Sequence, residues 1–89
     1  MGLEQMAINM ARCNLDNALA IITSDEFRET GEYKLKGWQK LLEGGKEKYT
    51  REYLTNVIRG NTRLLRALKQ DRILKELERK YNVKLDEFL

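Results

Sequence analysis

The 89-residue chain contains no proline. Proline removes a helical hydrogen bond and clashes with the preceding turn. Without it the six glycines are the only strong breakers, so long continuous helices are permitted. Apolar residues make up 42% of the chain, enough for a small core and too many for a typical disordered segment. The length suits one domain, residues 1–89. The expected fold is all-α, a small bundle of four to five helices.

Composition also excludes functions. With no histidine and one cysteine, the chain lacks a His-based general acid or base, an internal disulfide and the usual Cys/His zinc sites. The carboxylates do not sit in apolar runs that would raise their pKa, so an enzyme is not expected. Neither a cofactor nor a metal is expected. No apolar run approaches the ~20 residues needed to cross a bilayer. The N-terminus lacks the basic start and apolar stretch of a signal peptide. The expected setting is cytoplasmic, with no membrane partner.

Charge is uneven. Residues 1–32 carry two basic and six acidic side chains, a net −4, and residues 33–72 carry eleven basic and four acidic, a net +7. The last segment, 73–89, is balanced. A central block this basic suits a polyanion, or alternatively a well-solvated helical surface.

In the first helical segment Leu3, Met6, Ala7, Met10, Cys13, Ala18, Ile21 and Ile22 recur at three- and four-residue steps, the stripe of an amphipathic helix. Cys13 lies on that stripe and reads as a small buried hydrophobe. Asn14-Leu15-Asp16-Asn17 favours caps and turns, so the helix either crosses it or breaks there. Ser24 reads as an N-cap, Gly31 as a stop, and Phe27 as the anchor of an acidic connector. A second helix is expected at Tyr33–Glu43, with Leu35, Trp38, Leu41 and Leu42 facing the core, ended by Gly44-Gly45. Gly-Gly-Lys46 lacks the frame of a phosphate-binding loop.

A third helix opens on the N-cap Thr50 and is expected to close on Gly60 as a left-handed cap. Leu54, Val57 and Ile58 face inward, while Arg51, Glu52, Thr55, Asn56 and Arg59 stay outside. Arginine bonds guanine doubly, asparagine bonds adenine, and threonine reaches bases or phosphates, so this helix suits a major groove. The last helix is expected over 62–81, with Asn82 just past its end. Its apolar surplus at Leu65 and Ile73 would bury against the first helix or a second subunit.

Two stretches resemble the phage repressor-type helix-turn-helix family. Tyr53-Leu54-Thr55-Asn56-Val57-Ile58-Arg59-Gly60-Asn61 is similar to the end of that family's recognition helix. Residues 78–89, Glu-Arg-Lys-Tyr-Asn-Val-Lys-Leu-Asp-Glu-Phe-Leu, are similar to its closing stretch. The resemblance implies a basic helix-turn-helix-like unit over 33–72. It also implies a small, dimeric regulator of transcription that binds double-stranded DNA. Arg51, Thr55 and Asn56 would face bases, Arg59 a phosphate, and Lys46, Lys48 and Arg63 further backbone phosphates. The sequence departs from the family where Gly44-Gly45 runs into Lys46-Glu47-Lys48, a longer and more polar turn. The acidic N-terminal helix is an addition suited to dimerisation or partner binding. The alternative reading is a helical module that binds a protein through apolar faces of its first and last helices.

Overall fold

The computed structural model describes residues 2–89. Five helices and a two-stranded ribbon follow in the order α1 (Leu3–Ile22), α2 (Asp25–Thr30), β1 (Glu32–Lys34), α3 (Trp38–Leu42), β2 (Lys48–Thr50), α4 (Arg51–Ala67) and α5 (Asp71–Tyr81). A 3-10 turn, Leu85–Phe88, ends the chain. The fold is a small helical bundle, which the proline-free sequence permits.

Helix α1 crosses Asn14–Asn17 without a break. Leu15 inside that stretch is fully buried, and Ala11, Ala18 and Leu19 flank it in the core. Tertiary burial therefore overrides local turn preference. The Thr23 hydroxyl then donates to the Leu19 carbonyl at 2.7 Å and closes the helix. Ser24 caps α2 by accepting from the Phe27 N–H, and Gly31 adopts φ 75° to stop it. Phe27 is fully buried.

The helix expected at Tyr33–Glu43 does not form as one element. Tyr33, Lys34, Leu35 and Lys36 alternate inward and outward, a strand pattern. β1 pairs antiparallel with β2 in the register Glu32↔Thr50, Tyr33↔Tyr49, Lys34↔Lys48. Leu35 is buried, and its N–H donates to the Glu47 carbonyl just beyond the ribbon. Gly37 takes φ 42° and starts the five-residue helix α3, which buries none of its side chains.

α4 and α1 form the principal packing pair. Leu54, Ile58, Thr62 and Leu65 face the core at helical spacing. Gly60 does not end α4: it lies inside a 17-residue helix with an ordinary negative φ. The expected last helix is split instead. The Lys69 N–H donates to the Arg66 carbonyl and the Gln70 N–H to the Leu65 carbonyl, a Schellman end with Lys69 at φ 60°. At the far end of α5, Asn82 takes the left-handed conformation at φ 53°. Leu74 and Leu77 bury, while Ile73 and Tyr81 pack against the core. The Leu85 N–H donates to Glu78 Oε2, Leu85 is buried, and the 3-10 turn lies beside α4.

The core stripe of α1 also differs from expectation. Ile8, Ala11, Leu15, Ala18, Leu19 and Ile22 face inward, whereas Leu3, Met6, Met10 and Cys13 are exposed. Cys13 is thus no core hydrophobe. Among the described residues no helix is long and apolar enough to cross a membrane.

Candidate interaction surfaces

The residues singled out for DNA contact spread over three places. Asn56, Arg59 and Arg63 lie on successive turns of the outward face of α4. Asn56 and Arg63 are exposed, and Thr55 is half-buried. Arg59 already holds the chain terminus: its Nε donates to the Phe88 carbonyl at 3.0 Å and its Nη1 to Asn56 Oδ1 at 3.3 Å. Arg51 turns toward α2, its guanidinium carbon 5.0 Å from the centre of the Phe27 ring. Lys46 and Lys48 sit on the ribbon side. The Lys46 ammonium lies 4.4 Å above the Tyr53 ring, and Lys48 pairs with Glu32 across the strands. Four of the five basic residues in this set therefore carry an intramolecular contact.

The ribbon projects an apolar tip. Trp38, Leu41 and Leu42 are 69%, 82% and 75% exposed. Exposed Lys36 precedes them and Lys40 sits among them, with Lys40 Nζ 4.0 Å from Glu47. Three large apolar side chains from one five-residue helix are an unusual cost at a monomer surface. The sequence signal for this tip was available in the Tyr-Lys-Leu-Lys alternation followed by Gly37, which converts a helix start into a strand.

Behind the tip the ribbon is braced by tyrosines. Tyr33 and Tyr49 rings stack at 6.3 Å, and Tyr49 and Tyr53 at 4.9 Å. The Tyr49 hydroxyl donates to Glu43 Oε1 at 2.8 Å. Burial, reinforced by the Glu43 carboxylate, pushes the Tyr49 phenol well above its usual value, so it remains a donor. Burial raises Tyr53 as well.

A groove of about 310 Å³ opens between α1 and α4, lined among others by Asn14, Asn17, Ile21, Tyr53 and Val57. Asn17 of that lining also lies on the outer face of α1. There Leu3, Met6 and Met10 are 83%, 58% and 62% exposed. With Cys13, Asn17 and Ala20 they follow the alternating three- and four-residue spacing of a coiled-coil seam, and all six are exposed. The three charged residues of α1, Glu4, Arg12 and Asp16, lie off that seam. Asp16 is engaged elsewhere, accepting from the Tyr81 hydroxyl and from Lys80 Nζ. Those contacts hold its carboxyl below the usual aspartate value, the Tyr81 hydrogen bond most of all.

Among the described residues no cluster of three or more His, Cys, Asp or Glu side chains is placed to hold a metal ion. Comparison with known protein families, curated proteins and solved structures finds no match.

Proposed function

We propose that this chain is a helical protein-interaction module that docks a partner through the ribbon tip. The observation that carries this reading is the exposure of Trp38, Leu41 and Leu42 on a helix that contributes nothing to its own core. Aromatic anchors, tryptophan above all, are among the residues that dominate binding energy at protein interfaces, and an apolar surround keeps water from them. Lys36 and Lys40 select a partner segment that sets apolar side chains among carboxylates. A cytoplasmic location belongs to this reading, since an exposed, unbridged Cys13 suits a reducing compartment.

Trp38 is the only tryptophan, so its emission reports on the tip alone. A partner captured from extract and then purified is expected to shift that emission to the blue. Leu41→Asp is expected to abolish both capture and shift while the far-UV circular dichroism stays unchanged. Capture that survives Leu41→Asp and Trp38→Ala refutes the reading.

One observation favours a second reading, the DNA-binding regulator. Asn56 and Arg63 point outward from α4 within the +7 segment. Binding to a labelled random duplex would then fall steeply between about 50 and 200 mM salt. Arg63→Ala would weaken it without disturbing the fold, unlike Arg59→Ala, which also frees the Phe88 carbonyl. No binding at low salt removes this reading.

A further inference from the structure

We propose that the outward arginine face of α4 docks the phosphate backbone of a nucleic-acid duplex, and that the chain's own C-terminal turn occupies this face until the duplex displaces it. The turn is thus a built-in competitor. The inference rests on the DNA-binding reading above and adds Arg66 and the turn to it. Asn56, Arg59, Arg63 and Arg66 recur at steps of three, four and three residues, on the side of α4 away from Leu54, Ile58, Thr62 and Leu65. At 1.5 Å of rise per residue, three guanidinium groups share about 10 Å of helix axis. Every cation on this face is an arginine, whose planar fork matches phosphate oxygens with two parallel hydrogen bonds. Glu52, the one acid of α4, lies a turn before Asn56 at the helix start.

What the face binds is already visible within the chain. The Asp86 carboxylate pairs with Arg66, and the Phe88 carbonyl accepts from Arg59 Nε at 3.0 Å. The turn therefore runs antiparallel to α4, with Asp86 over Arg66 and Phe88 over Arg59. Two oxygen acceptors carried on one strand sit on two of the three guanidinium groups, as successive phosphates of a nucleic-acid strand would. Asn56 Oδ1 steadies Arg59 from the other side at 3.3 Å. Arg63, between them, is exposed and has no side-chain partner among the described residues, which leaves it open for the first contact.

The turn is also built to leave. Leu85 is its one buried residue, and its N–H is held by Glu78, so it serves as the hinge. Phe88 is half-buried against the core and keeps the turn seated in the free chain. Beyond the hinge the Asp86 side chain is 78% exposed. The only backbone hydrogen bonds there are Glu87 N–H to the Lys84 carbonyl and Leu89 N–H to the Asp86 carbonyl. Exposed ion pairs hold weakly, and a segment with so few hydrogen bonds opens before the core does. Arriving phosphates would repel Asp86 and Glu87 and take their place.

Fluorescence anisotropy on a labelled random duplex, read across salt concentration, tests the proposal. Asp86→Ala is expected to tighten binding about fivefold, the upper range for an exposed ion pair, with the salt slope unchanged because the bound contacts are the same. Glu4→Ala removes an equal charge from the far side of the fold and is expected to change affinity less than twofold. Arg66→Ala is expected to weaken binding and to lower the salt slope by about 0.9, the loss of one phosphate contact. In the complex, amide exchange at Glu87 and Leu89 is expected to speed up as the turn lifts. If the wild-type chain binds and Asp86→Ala gains no more than Glu4→Ala, the DNA-binding reading stands and the competing turn is overturned. If neither chain binds at about 50 mM salt, where phosphate contacts are strongest, both fall. Poly-glutamate that binds as tightly as the duplex shows a face that reads charge alone, and overturns phosphate as its ligand. Unchanged exchange at Glu87 and Leu89 in a formed complex also overturns the proposal.

Discussion

Gly60→Ala is the substitution whose sign says most about this fold. Glycine inside a helix costs about 1 kcal/mol relative to alanine, because its unfolded backbone has more freedom to lose. Gly60 is exposed, lies within α4, and a Cβ built on it meets nothing within 4 Å. No packing penalty therefore offsets the entropic gain. Gly60→Ala should stabilise the protein by about 0.5–1 kcal/mol. For a domain of this size that is a rise in Tm of about 2–8 °C. With a urea slope near 1 kcal/mol/M the midpoint should rise by about 0.5–1 M at unchanged slope. Far-UV circular dichroism measures both, at one fixed protein concentration because dimerisation would add its own stabilisation. If Gly60 were instead a left-handed cap, alanine would meet the left-handed penalty of about 1–2 kcal/mol. A fall in Tm would thus refute a continuous α4.

Three further outcomes test the structure. Lys69→Gly should raise stability by about 1 kcal/mol in urea unfolding, since Lys69 holds φ 60° at the Schellman end without the freedom of glycine. Thr62→Val should be neutral to stabilising by about 1 kcal/mol, because the Thr62 hydroxyl is buried without a hydrogen-bond partner; a clear loss of stability would mean that the hydroxyl is satisfied. Asp16 titrates lower in the folded chain than in the unfolded one. Its contribution is present above the ordinary aspartate value of about 3.9 and is lost as pH falls through the depressed folded value. Asp16→Asn should therefore flatten the acid limb of a pH–stability profile.

The parts of the fold legible in sequence are those set by one residue acting locally. Ser24, Thr50 and Asn82 each cap a helix end through their own chemistry, and Phe27 is the single apolar residue of a polar segment. The illegible parts depend on what lies across the fold. α1 carries two apolar stripes, and spacing alone does not say whether Leu3–Met10 or Ile8–Leu19 meets α4. The break at Lys69 has no glycine to announce it, while Gly60 announces a break that burial of Ile58 and Thr62 overrides. For the candidate surfaces the difficulty is sequence distance. Arg59 reads as a free cation until Phe88, 29 residues on, takes its Nε–H.

The ribbon has one more consequence. Helices α1, α4 and α5 build the core, and the excursion from Leu35 to Glu47 adds only Leu35 to its buried set. The strand register and the Leu35–Glu47 hydrogen bond bring the two ends of that excursion together. Residues 36–46 are therefore a replaceable insert on a finished scaffold. A short turn or a foreign loop of other length can be spliced there at the modest entropic cost of loop closure.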